Sequence, residues 1–186
     1  MALLRRKTKE QELEHGEHFE PEWDVPALFN FTRDVIEEHA KDLLKPALTF
    51  VDREGIVDRR TFREVAGDAA RWAHLLRTRV DRGDRVALAI GNVPSWNLAM
   101  LGALKSGVVA VPCSEGLKAR DLAFRVHHSG ARLLVADRSL EVEIEEMRNQ
   151  VGASVSVIYL DEALDELRRY MPVAPSEETT AGETAL

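Results

Sequence analysis

Arg85-Val-Ala-Leu-Ala-Ile90 and Val108-Val-Ala-Val-Pro-Cys113 are the two stretches from which the fold reads most directly. Each is a short apolar run with no polar residue at alternate positions after its first residue. A strand with one wet face alternates apolar and polar residues, so a continuous run marks a strand covered on both faces. Between the runs lie Ser95 and the nearly all-apolar segment Trp96 to Leu104, which ends before Gly107. Ser95 is the expected N-cap of a helix there, because its hydroxyl can accept from a free N–H of the first turn. Strand, helix and strand in so short a span make a parallel βαβ unit.

The alternation continues towards the C-terminus. Leu117 to Ser129 reads as a helix with Ala119, Leu122, Ala123 and Val126 inward, closed by Gly130 at C′. Leu133-Leu-Val-Ala136 is a strand, and Leu140, Ile144, Met147 and Val151 form one face of a helix. Val155 to Leu160 is a strand, and Asp161 is the expected cap of a last helix carrying Leu164, Leu167 and Met171. Towards the N-terminus, Thr61-Phe-Arg-Glu64 is a capping box opening a helix with Phe62, Val65, Ala69, Trp72 and Leu76 on one face. Ala47 to Val51, the turn Asp52-Arg-Glu-Gly55 and Ile56-Val57 read as a hairpin. Asn30 can cap a short helix with Phe31, Val35 and Ile36 on one face.

The pattern predicts an α/β protein: a doubly wound parallel sheet of four to five strands with flanking helices and an N-terminal β-hairpin. The expected strand order is 108–113, 85–90, 132–136, 155–160. Residues 1–23 read as a flexible tail, 24–171 as the α/β unit, and 172–186 as a linker rich in Pro, Ser, Thr, Glu and Gly.

Composition narrows the function classes. The chain has 186 residues, 45% hydrophobic and 31% charged, as in an ordinary globular protein. A formal net charge of -7 argues against strong nucleic-acid binding, which needs a basic face. The one cysteine, Cys113, permits neither an intrachain disulfide nor a cysteine-based zinc site. No membrane span is expected, and no signal peptide, since the basic cluster follows the apolar run Ala2-Leu-Leu4. A cytoplasmic location is the natural expectation.

Catalytic motifs are sparse. There is no GxxxxGK[ST] phosphate loop and no GxGxxG after a strand. Gly152-Ala-Ser-Val-Ser156 misses the GxSxG elbow and precedes a strand where the elbow must follow one, so Ser154 is not read as a nucleophile. His15 and His18 sit in an acidic tail, and His127-His128 suits a helix C-terminus. His39 and His74 read as surface or boundary residues, and Cys113 as a small buried hydrophobe. No catalytic and no metal-ligating residue is assigned. One positional argument remains: open parallel sheets bind ligands at the carboxyl ends of their strands. Those ends are Gly91-Asn92-Val93, Cys113-Ser114-Glu115-Gly116, Asp137 and Asp161.

Five stretches in register resemble the adenylate-forming acyl-CoA synthetase superfamily. Phe29-Asn-Phe-Thr-Arg-Asp-Val35 is similar to the opening of its medium-chain and acetyl-type members. Ala47 to Val51 with the Thr61 box is similar to its early "LTYxEL" motif. Arg82-Gly-Asp-Arg-Val-Ala87 is similar to "GDRVA", Leu104-Lys-Ser-Gly-Val-Val-Ala-Val-Pro112 to "LKAGxxxVP", and Ser129 to Asp137 to "SGARxLVxD".

The resemblance implies activation of a carboxylic acid by ATP, with Mg2+, to an acyl-adenylate, and transfer of the acyl group to coenzyme A (CoA). The family's phosphate loop "YTSGTTGxPKG" does not occur in these 186 residues, although Glu183 to Leu186 is similar to the residues leading into its strand. The expectation is therefore the N-terminal piece of a longer synthetase, inactive alone. The alternative is a stand-alone α/β binding or scaffolding protein derived from one, with a homodimer as one way to cover an exposed face. The resemblance also places Ser114, Glu115 and Gly116 where CoA approaches in acetyl-type members. Those members follow the next strand with phosphate-holding arginines, and here Asp137 to Val142 carries only Arg138.

Overall fold

A computed structural model describes residues 24, 26–151 and 155–185. The tail 1–23 with His15 and His18, the side chain of Val151, and Ser154 lie outside the described residues. Four parallel strands form the central sheet: β3 (Arg85–Ala89), β4 (Val109–Pro112), β5 (Leu133–Ala136) and β6 (Ser156–Tyr159). They run in the order β4-β3-β5-β6, as expected from the sequence. A separate antiparallel pair, β1 (Pro46–Val51) and β2 (Val57–Thr61), is the hairpin.

Alternate residues of the buried strands feed two apolar layers. Val86, Leu88, Leu133, Val135 and Ile158 face one cluster with Trp72, Leu75, Leu98 and Leu167. That layer holds α1 (Phe62–Arg77), α2 (Pro94–Ser106) and α5 (Leu160–Leu167). Ala87, Ala89, Leu134 and Ala136 face the other, with Leu122, Val126, Ile144 and Met147 from α3 (Ala119–Ser129) and α4 (Glu141–Val151). Both faces of the sheet are thus covered, which is why its strands carry no polar stripe.

The Thr61 capping box forms as predicted: Thr61 N–H donates to Glu64 Oε2 at 2.7 Å and Glu64 N–H to Thr61 Oγ1 at 3.3 Å. Gly130 takes φ 65°, left-handed, and closes α3 after His127 and His128. Three expected details differ. The N-cap of α2 is Val93 rather than Ser95, because Pro94 takes the first helical position, where its missing N–H costs nothing. The N-cap of α5 is Tyr159 rather than Asp161, and α5 ends at Leu167, so Met171 is exposed. Phe31 is exposed while Ile36 is buried, because residues 32–37 wind as a π-helix, whose wider turn rotates the faces.

Residues 172–185, read from composition as a linker, run along the domain. His74 Nε2 donates to Val173 O and Arg77 to Pro175 O, both at 2.9 Å. Phe29 N–H donates to Thr179 O at 2.8 Å, and Thr179 Oγ1 returns a bond to Phe29 O at 2.6 Å. At the outer edge of β4, Ala110 N–H donates to Ala185 O at 3.1 Å. Val109 and Cys113 donate inward to β3, so Pro112 turns its missing N–H to the outer edge, where proline is tolerated.

Candidate functional site

The strand order sets the carboxyl ends of all four parallel strands side by side, forming a ledge. After β3 the chain turns tightly, with Val93 N–H bonded to Gly91 O at 2.8 Å. After β4, Ser114 Oγ accepts from Gly116 N–H at 3.2 Å and shapes an exposed turn. The Glu115 carboxylate from that turn reaches across to Gly91 and fills the place that a Cβ would occupy. Two sequence-predicted loops, 91–93 and 114–116, are therefore in direct contact, made through the flexible end of the Glu115 side chain.

The ends of β5 and β6 meet through Arg138. Its guanidinium carbon lies 4.1 Å from the ring centroid of Tyr159. Its nitrogens reach Asp161 at 2.9 Å, Glu162 at 2.7 Å and Glu141 at 3.9 Å. Glu162 and then Asp161 hold the Arg138 guanidinium more firmly charged than usual, and Arg138 pulls the Asp161 carboxyl below its ordinary range. Asp137 accepts from Ser139 N–H at 2.9 Å and caps the short turn Arg138–Leu140. Asp137 and Asp161 are thus occupied in local structure.

Cys113 is buried, and burial pushes its thiol pKa up, away from the reactive thiolate. Among the described residues no three His, Cys, Asp or Glu side chains converge to hold a metal ion. His39 packs against Phe62 at 4.9 Å and His74 stacks on Tyr170 at 5.7 Å, both away from the strand ends. A cavity of about 480 Å³ opens between β2 and α1, and one of about 240 Å³ lies between Phe29, Val108 and Ala185. Neither is lined by Ser114, Glu115 or Gly116. The ledge offers the small residues Ser114 and Gly116 beside the Glu115 carboxylate at one end, and an arginine already paired with acids at the other.

Sequence reasoning did not anticipate the Glu115–Gly91 contact or the carboxylates around Arg138. The second was recoverable: once β5 and β6 are neighbours, an arginine just after one and two acids just after the other must meet.

An open parallel sheet covered on both faces is shared with solved structures of CoA ligases. The benzoate CoA ligase from Burkholderia xenovorans LB400 superposes with a TM-score of 0.74 at 26% identity, over 85% of this chain and 32% of that one. The N-terminal domain of FACL13 from Mycobacterium tuberculosis gives 0.72 at 26% identity, over 81% of this chain and 38% of that one. The pattern described as "AMP-binding enzyme" matches residues 37–184, and the chain belongs to that family. Its relatives include the human mitochondrial acyl-coenzyme A synthetase ACSM2A, 32% identical over 135 residues, 68% of this chain and 23% of that protein. The rat mitochondrial ACSM2 is 35% identical over 130 residues, 66% of this chain and 23% of the relative. The chain spans about a quarter of the length of these relatives.

Proposed function

We propose that this chain is the N-terminal part of an ATP-dependent acyl-CoA synthetase. In that reaction the carboxylate attacks the α-phosphorus of ATP, giving an acyl-adenylate and diphosphate. The CoA thiol then displaces AMP to give the thioester. The observation that carries the reading is the family match over residues 37–184, on a fold whose strand-end ledge is intact. Residues 24–171 are its N-terminal subdomain, and 172–186 lead towards the phosphate loop. ATP, Mg2+ and CoA are ligands of the whole enzyme, and none is expected to bind this chain tightly alone.

The residues present fit one part of CoA better than another. Ser114, Glu115 and Gly116 form an exposed turn that suits the approach of the uncharged pantetheine arm. Arg138 does not fit a clamp for the nucleotide phosphates, because three carboxylates already surround it. A role in fatty acid metabolism rests on the medium-chain resemblance of residues 29–35. A cytoplasmic location is proposed on the single, buried cysteine; the named relatives are mitochondrial, so cell fractionation decides. No helix among the described residues is long and apolar enough to cross a membrane. Self-association through exposed side chains such as Leu44 and Ile56 is read by analytical ultracentrifugation.

The test is the mass of the endogenous protein, followed by acid-dependent ATP–pyrophosphate exchange on that species with a panel of straight-chain and aromatic acids. A species much heavier than 20.9 kDa that catalyses exchange supports the proposal. A native 20.9 kDa species without exchange supports the stand-alone binding protein instead.

A further inference from the structure

Lys105 is a buried charge that the proposed chemistry does not use. Its side chain is 1% exposed, near the C-terminus of α2. A lone ammonium in an apolar interior is strongly unfavourable, so its partners define its role. One is the carboxylate of Glu37 at the end of the π-helix, itself 36% exposed. The other is Ser176 Oγ in the 172–185 strap, at 2.7 Å.

The backbone around Lys105 tells the same story. The last carbonyls of a helix have no intrahelical donors and need partners from elsewhere. Lys105 O accepts from Glu177 N–H at 2.9 Å. Leu104 O accepts from Asn30 Nδ2 at 2.8 Å, and the same amide reaches Glu177 O at 3.2 Å. One turn earlier, Leu101 O accepts an additional bond from Thr32 Oγ1 at 2.7 Å. Two segments far apart in sequence, residues 30–37 and 176–177, therefore close on the end of α2, and a cation there also complements the helix dipole.

We propose that Lys105 is a latch: its buried ammonium, held by Glu37 and Ser176, docks the 172–185 strap onto α2 and sets where the chain passes the outer edge of β4. It is a positioning residue, not a catalytic one. The strap buries little apolar surface of its own: Ala174 is buried, while Val173 is 74% exposed. Its docking is thus a local equilibrium, separable from folding of the sheet. The latch stands on this geometry alone, whether or not the chain belongs to an active ligase.

The test is amide hydrogen exchange by NMR on the 186-residue chain, with Lys105→Met, Glu37→Gln and Ser176→Ala. The reporters are Glu177, Phe29 and Ala110, whose N–H groups donate to Lys105 O, Thr179 O and Ala185 O. The controls are Arg132 and Asp137, whose N–H groups donate to Arg85 O and Ala89 O in the central sheet. Reporter exchange rises about tenfold in Lys105→Met and by a smaller factor in the other two, with the controls unchanged, as local opening requires. Lys105→Met could unfold the chain by stranding Glu37, so Ser176→Ala, which changes only an atom on the strap, carries the decision. Unchanged reporters in Ser176→Ala, or reporters and controls accelerated equally, would overturn the latch.

Discussion

Trp72 and Gly102 meet where α1 crosses α2: the Cβ of Trp72 lies against the point at which a side chain on residue 102 would start. The Ala69 carbonyl oxygen and the Ala73 nitrogen are each 3.1 Å from that same point. Trp72 is fully buried, so neither helix can yield without disturbing the larger apolar layer.

Gly102→Ala therefore destabilises the fold. Alanine gains about 1 kcal/mol of helix propensity over glycine. Overpacking at a closed crossing costs about 1–3 kcal/mol, and it wins here because the obstructing atoms are backbone and Cβ rather than a flexible tip. Thermal unfolding should fall by about 2–4 °C for each net kcal/mol lost. An unchanged or raised midpoint would mean that the helices separate freely.

Thr61→Ala removes one half of the capping box at the start of α1. The expected loss is about 1 kcal/mol, read by urea denaturation. Glu64→Gln should lose less, because the amide oxygen can still accept from Thr61 N–H. If Glu64→Gln costs more than Thr61→Ala, the carboxylate charge rather than the hydroxyl dominates the cap.

Acid should unfold this protein progressively. Arg79 and Tyr170 hold Glu166 below its ordinary value of 4.5, and Arg33 holds Asp34 below 3.8. A carboxyl whose folded pKa is depressed contributes stability above its unfolded pKa and loses it as pH falls through the folded value. Stability should be flat from neutral pH down to the ordinary carboxylate range and then decline. Glu166→Gln should shallow that decline, measured as unfolding midpoint against pH. An equally steep decline in the variant would remove Glu166 from the acid response.

On the proposed approach of CoA to the ledge, freeing Arg138 should create a binding site for its phosphates. In Asp161→Asn with Glu162→Gln, the guanidinium keeps its seat on Tyr159 but loses two carboxylates. Titration calorimetry should then show CoA binding by the variant where the parent chain shows little or none. Stability should change by within about 0.5 kcal/mol, since these groups are exposed. No gain in affinity would place the nucleotide phosphates elsewhere.

Much of this architecture was legible because it is written in local period. Val86 to Ile90 and Leu133 to Ala136 are apolar at every position, which only a two-faced sheet explains. Right-handed crossovers favoured a doubly wound sheet without dictating the order of its strands, and Thr61 with Glu64 announced a helix start. The errors have equally local causes. Pro94 outcompeted Ser95 for the start of α2 because its ring fixes φ, and the π-helix moved Phe31 outward where a 3.6-residue period put it inward. What stayed hidden depends on pairs far apart in sequence. Composition marked 172–186 as a linker, but its docking runs through backbone groups and Lys105, which no periodicity reports. The ledge was foreseen as a place, while the Glu115–Gly91 contact needed coordinates.

The single bond from Ala110 to Ala185 at the rim of β4 also bears on solubility. A bare strand rim is a template on which another chain can add itself, and proteins blunt it by covering it or by breaking its ladder with proline. Here Pro112 breaks the ladder at one end and the strap covers Ala110 at the other. A molecule whose strap has come away keeps its core but uncovers a sticky rim two residues from a proline. Its loss from solution would then begin as edge-to-edge growth between folded molecules, rather than as clumping of unfolded ones.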